Sequence, residues 1–292
     1  MNKLLRFESR KLFMRISLYI LLGVALLMVL FNVLIPNMMN DLFEDARDAN
    51  DVLSIFGLSV DSTADIFIVK AIYSGEAATV LAVLIALIAT SDYHNRTVKN
   101  ILSRGYTRTQ VYFSKLIVCE AVTVAISVLC MLFACVMGTV LYTPCVLSFG
   151  ELFPVLAAQL VVMTGLCAFF VFLSTLMKNS GGALAIGIVA VEFMPLLTRV
   201  LDLIMEDNEL AFRFTEYNLF SFISDLSKLP SSVQSEAVFG GMGGMGGMGG
   251  MMENLMSTTV SMDVINREAV IALMWLAGMI LLGWLRSRKQ EL

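Results

Sequence analysis

Two carboxylates set inside apolar runs are the residues best placed to do chemistry. Glu120 lies in the run 111–141, and Glu192 lies near the middle of 181–203. A charge at mid-bilayer costs about 2.5–3.5 kcal/mol on insertion scales, so such residues face a cavity or a partner. Pro195 follows Glu192 by three residues and removes a backbone donor, which breaks the helical ladder locally. Arg199 follows Glu192 by seven, so the two can share one helix face. A kinked helix with an inward carboxyl would line a translocation path. The alternative is a neutral glutamate hydrogen-bonded to a neighbouring helix, and it applies equally to Glu120.

Other chemistries find no support. His94 is the only histidine, and no Ser/His/Asp, Cys/His or HExxH constellation is present. No GxxxxGK[ST] loop occurs, so the chain is not expected to be an enzyme that hydrolyses nucleotides by that route. Cys119, Cys130, Cys135 and Cys167 sit in apolar runs and Cys145 in a short loop, with no CxxC pair. That pattern indicates small buried hydrophobes, not a metal site or a disulfide framework. No cofactor is expected on this chain.

The elements that must position the carboxylates follow from composition. The 292 residues are 58% hydrophobic and 15% charged, with mean hydropathy +0.82. Soluble domains average about 45–50% apolar and 25% charged, so this chain needs lipid to cover its surface. Its basic residues are dispersed over separate loops, which argues against nucleic acid. A spanning helix needs about 20 apolar residues, and six candidates appear: 17–35, 72–91, 111–141, 152–177, 181–203 and 269–285. The expectation is an all-α membrane protein with six transmembrane helices. The first run is too long for a cleaved signal peptide, and Pro36-Asn37 replaces a cleavage site, so it is read as a retained anchor.

Lys and Arg concentrate on the cytoplasmic side of spans. With both termini inside, that side holds Lys3, Arg6, Arg10, Lys11, Arg15, Arg96, Lys99, Arg104, Arg108, Lys115, Lys178, Arg286, Arg288 and Lys289, fourteen of the 20 basic residues. The outer loops 36–71 and 204–268 are acidic. Residues 1–16 read as a basic amphipathic helix of the kind that lies in the headgroup plane, with Leu5, Leu12 and Ile16 on one face, either an elbow helix that couples motion along the membrane surface or a simple positive-inside anchor. The first outer loop has helix-compatible spacing at Val52, Ile55 and Phe56. The first half of the last outer loop mixes aromatics with acids, as an extracellular helix or a re-entrant pair would. Its Gly/Met-rich stretch 240–252 reads first as a flexible linker. A polarizable contact for greasy substrates, or thioether binding of a soft metal, are the other readings. Ala183-xxx-Gly187 is a small-xxx-small pattern that lets helices approach closely.

Between the second and third runs lies a basic segment, 92–110. In it Val98, Ile101 and Leu102 make an apolar patch ringed by Arg96, Lys99 and Arg104. Here the chain resembles the permease subunits of ATP-binding-cassette transporters of the type-2 exporter family, notably the lantibiotic-immunity and bacitracin-resistance branch. The residues that carry the resemblance are Asp92, Thr97-Val98-Lys99-Asn100-Ile101-Leu102-Ser103, Gly105-Tyr106-Thr107-Arg108 and Ser114-Lys115. Arg96 departs from it, standing where glycine commonly precedes the threonine.

The resemblance implies a half-transporter in a bacterial plasma membrane, exporting an amphiphile such as an antimicrobial peptide, a drug or a lipid-like molecule. ATP and Mg would be bound by a cytosolic ATPase subunit, and a second permease would complete the dimer. Thr97, Val98, Lys99, Asn100, Ile101, Leu102, Arg104 and Arg108 would couple to the ATPase. Glu120, Glu192, Pro195 and Arg199 are the candidates for the substrate path. Two alternatives stand beside it: a stand-alone membrane immunity or peptide-binding protein, and a proton-coupled secondary transporter using Glu120 or Glu192. The absence of a visible inverted repeat weighs against the latter.

Overall fold

The computed structural model describes residues 2–44, 75–94, 97–141, 149–177, 179–207, 213–222, 229–230, 259–260 and 262–289. Eight helices account for nearly all of them: α1 (Asn2–Phe13), α2 (Ile16–Glu44), α3 (Gly75–His94), α4 (Thr97–Leu102), α5 (Arg108–Leu141), α6 (Phe149–Met177), α7 (Ser180–Asp207) and α8 (Met262–Lys289). A 3-10 turn covers Thr215–Tyr217. One parallel two-residue pairing, Leu229 with Thr259 and Pro230 with Val260, brings together the two ends of the stretch that holds residues 240–252. That stretch, Val52–Phe56 and Cys145 lie outside the described residues.

Four helical stretches are long and apolar enough to cross a membrane: Arg108–Met137, Phe153–Met177, Gly181–Met205 and Asp263–Arg288. A fifth arises if Leu4–Phe13 and Ile16–Asn32, bent by 63°, count as one span; Thr79–Thr90 is a shorter apolar helix. Backbone N–H and C=O groups find no water in hydrocarbon, so a run of Leu, Val, Ile and Ala satisfies them internally as helix.

Several boundaries differ from expectation. Helix α2 runs through Pro36 to Glu44, where a loop was expected from residue 36. Proline forfeits a single hydrogen bond and its fixed φ suits a helix, so a long helix can carry it. Likewise α7 continues through Pro195. Helix α8 begins seven residues before the expected start at 269, because its first turns are held by protein contacts as well as by apolarity.

The elbow differs in its buried face. Leu4, Glu8 and Leu12 are the buried stripe, at i, i+4 and i+8, while Ile16 is 75% exposed. The chain turns between Phe13 and Ile16, so Ile16 opens a new helix and cannot extend the stripe. Arg15 N–H donates to Leu12 O at 3.0 Å, and Tyr19 Oη donates to Phe13 O at 3.0 Å, closing the end of α1.

Helix α6 is the centre of the bundle. Its apolar window is 61% buried, against 17–33% for the other three spans. Val155, Val162, Leu166, Cys167, Ala168 and Val171 are shut off from the surface. The closest neighbour is α8, followed by α3 and α5, while α7 packs chiefly on α3. Gly165 permits the approach to α8, since a Cβ there would lie 3.3 Å from Ala272 O.

Candidate functional site

The segment between α3 and α5 is built as a braced corner. Helix α4 ends where Arg104 N–H and Gly105 N–H donate to Ile101 O and Leu102 O at 3.2 and 3.0 Å. Gly105 has φ +85°, the left-handed conformation that favours glycine after a helix. Helix α5 then starts with a reciprocal cap. Gln110 N–H donates to Thr107 Oγ1, and Thr107 N–H donates to Gln110 Oε1, each at 3.3 Å. These two devices fix the exit angle of α4 relative to α5.

Ile101 belongs to the inside of this corner. It is buried against Leu4 of α1 and Val111 of α5, with Tyr106 packed alongside. The face left open carries Asn100, Ser103, Arg104 and Arg108, with Leu102 half-buried beside it. The side chains of Thr97, Val98 and Lys99 lie outside the described ones. Ser114 and Lys115 are both buried. Lys115 Nζ donates to Ala89 O at 2.9 Å, and Arg15 Nη1 donates to Leu87 O at 3.3 Å. Two cations from different elements thus bond backbone carbonyls in the second half of α3. The end of α8 reaches the same corner, with Ser287 Oγ 3.4 Å from Thr109 Oγ1.

The membrane-level carboxylates separate. Glu192 is exposed on α7, and Thr79 of α3 donates to its Oε1 at 3.0 Å. Arg199 is exposed on the same helix and Pro195 is half-buried between them. Glu120 sits elsewhere, on α5. Both its carboxylate oxygens are buried, and the Cys167 thiol of α6 lies against them as the polar neighbour. The helices carrying Glu120 and Glu192 share no substantial contact, so the two do not form one site.

At the far end of the bundle the chain dips back between the helices over residues 213–222. Leu219, Phe220, Ser221 and Phe222 are buried. Phe220 meets Phe169 of α6 edge-on, ring centroids 5.2 Å apart. Trp275 Nε1 donates to Tyr217 O at 2.9 Å. Trp275 lies thirteen residues into α8, roughly 20 Å along it, so the segment is seated well along the bundle. Irregular backbone at such depth needs partners from protein. Asp202 supplies most of them: its carboxylate accepts from Phe214 N–H, from the Thr215 hydroxyl, and from Thr215 N–H at 3.0 Å. Ser221 Oγ donates to Thr215 O and Asn218 O at 2.6 and 2.7 Å. Asn218 Nδ2 donates to Thr198 Oγ1 at 3.2 Å, tying the segment to α7 one turn from Pro195. Arg267 closes the outside with an ion pair to Glu216 at 3.0 Å. Over its described residues this region is a 3-10 turn and a short turn packed against α6, α7 and α8. Asp202 carries no motif; its signal is an acid in the last turns of an apolar helix, followed by Thr, Asn and Ser.

No curated protein matches the chain. A family model, described as multidrug efflux system permease Rv1217c, C-terminal domain, matches residues 12–206. The match runs from the end of α1 to the end of α7 and takes in the α4 corner, Glu120 and Glu192. It covers about two thirds of the 292 residues, and with at least four apolar helices long enough to cross a membrane the chain belongs to this efflux-permease family and is a transport permease that works within a transporter complex.

Proposed function

We propose that this chain is the membrane half of an ATP-driven exporter of amphiphilic molecules. In this reading it has six spans and cytoplasmic termini, with α2 and α3 as the first two spans. ATP and Mg are handled by a separate cytosolic ATPase, and a second permease pairs with this one. The observation that carries the reading is the α4 corner, capped on both sides and braced by α1, which offers a small rigid face of Asn100, Ser103, Arg104 and half-buried Leu102. A rigid knob can transmit a push only if its own angle is fixed, and here it is. Glu192 and Arg199, exposed on α7, face the shared path between the two permeases, where a charge finds a partner or water and not lipid.

The test is purification of the full chain from its native membrane in mild detergent, with mass spectrometry of any ATPase that comes with it. Leu102→Asp combined with Arg104→Glu is expected to lower ATPase retention at least tenfold while leaving the thermal midpoint near wild type. Ile101→Asp is expected to behave differently. It puts a carboxylate against Leu4 and Val111 and destabilises the fold by about 3 kcal/mol, because an unpaired charge is buried. If Leu102→Asp/Arg104→Glu keeps the ATPase and its stimulated turnover, the coupling role is wrong. A chain that drives uptake from a pH gradient alone would instead be a proton-coupled carrier.

A further inference from the structure

A half-open cleft lies where α1, α3 and α5 meet, lined by Glu8, Lys11, Leu12, Arg15, Ile88, Lys115 and Val118. Its interior is about 10 Å³, room for one water-sized atom. Any ligand must therefore insert a single small atom and leave its body in the opening. Three basic side chains and one carboxylate surround that atom's position. Arg15 and Lys115 are anchored by their bonds to Leu87 O and Ala89 O, so their heads are fixed around the cleft.

The charge is unbalanced toward positive. Glu8 is buried, and its Oε1 has no hydrogen-bond partner among the described residues. Burial lowers the pKa of Lys11; Glu8 raises it, and Arg15 and Lys115 lower it again by repulsion. An anionic oxygen placed among the three would relieve that repulsion. The surroundings say which anions reach it. Phe7, Phe13 and Met14 are exposed on α1 and its bend, and Ile16, Tyr19 and Ile20 are exposed at the start of α2. An amphipathic helix joined at 63° to a long apolar helix lies at the lipid headgroup level, and basic pockets between helices at that level suit anionic headgroups.

We propose that this cleft binds a phosphate oxygen of an anionic phospholipid headgroup, held by Lys11, Arg15 and Lys115 and opposed by the Glu8 carboxylate. The lipid would then pin the elbow to the ends of α3 and α5. The carboxylate keeps the hold weak enough for exchange.

The full chain in nanodiscs of mixed phosphatidylglycerol and phosphatidylcholine, released into a native mass spectrometer, tests this. Wild type is expected to retain phosphatidylglycerol preferentially. Each neutralised cation should reduce that preference about fivefold, so Lys11→Gln/Arg15→Gln abolishes it. If that pair fails to fold, Lys11→Gln alone leaves the Arg15 bond to Leu87 in place and should still show the smaller loss. Lys11→Arg keeps the charge and the preference. Glu8→Gln has the opposite sign and should raise retention. Excess inorganic phosphate separates the sources: retention that survives it supports the lipid, whereas displacement assigns the cleft to free phosphate and overturns the lipid reading. Equal retention of both lipids by wild type, a preference that persists in Lys11→Gln/Arg15→Gln, or a fall in Glu8→Gln also overturns it.

Discussion

Gly283→Ala is expected to unseat the contact between α5 and α8 and to be among the most damaging single changes in the chain. A Cβ at Gly283 would lie 2.0 Å from the Tyr112 hydroxyl oxygen and 2.2 Å from its Cζ. Neither distance can be relieved by a small rotation, because Tyr112 is buried and its ring packs edge-on against Phe113 at 5.6 Å. Its hydroxyl also reaches Met279 O at 3.4 Å, so moving the ring breaks that bond as well. Overpacking of this kind costs about 3 kcal/mol, or roughly 6 °C in thermal midpoint for a chain of this size. Tyr112→Leu in the same background should restore much of the loss, giving a favourable coupling of about 2 kcal/mol in a double-mutant cycle. A Gly283→Ala protein that melts with wild type would mean that α5 and α8 do not approach here as described.

Asp202→Ala should release the segment 213–222 and leave the bundle largely intact. One carboxylate accepts from two backbone N–H groups and a hydroxyl, all three in the segment 213–222. Bonds to a charged acceptor contribute about 1.5–3 kcal/mol each and do not add fully, so a local loss of about 3 kcal/mol is expected. Hydrogen exchange across 214–221 should then accelerate by about two orders of magnitude. Asp202→Asn keeps one acceptor and should fall between. The thermal midpoint should move less than for Gly283→Ala, because Leu219, Phe220 and Phe222 still have an apolar wall to rest on. Unchanged exchange in Asp202→Ala would show that aromatic packing alone seats the segment.

These two residues also mark where sequence stops being informative. Spans follow from uninterrupted apolarity, a one-dimensional property, and the four helices long and apolar enough to cross a membrane overlap four of the six expected runs. The cap signals of the α4 corner are equally local: Gly105 and the Thr107/Gln110 pair can be read from type and spacing. Partner identity is not local. Ile101 looks like part of an exposed patch until α1 is seen to cover it, because Leu4 and Ile101 are ninety-seven residues apart. Lys115 looks like a stem residue near the surface, yet it closes onto α3. The stripe on α1 keeps Leu12 but takes Leu4 and Glu8 in place of Leu5 and Ile16, because nothing in Phe13–Arg15 announces a bend. Glu120 and Glu192 have the same appearance in sequence; only packing separates a carboxylate wedged between α5 and α6 from one exposed beside Thr79.

The buried segment 213–222 has a consequence for the order in which the protein is made. Residues 213–222 leave the ribosome about forty residues before α8 begins. Through that interval Tyr217 O lacks the Trp275 donor and Glu216 lacks Arg267. Backbone in that state is better solvated by water than by lipid, so the segment waits outside and seats only when the last helix arrives. The final span therefore acts as a latch on biogenesis: a chain stopped before residue 262 can insert its earlier helices but cannot finish its far end.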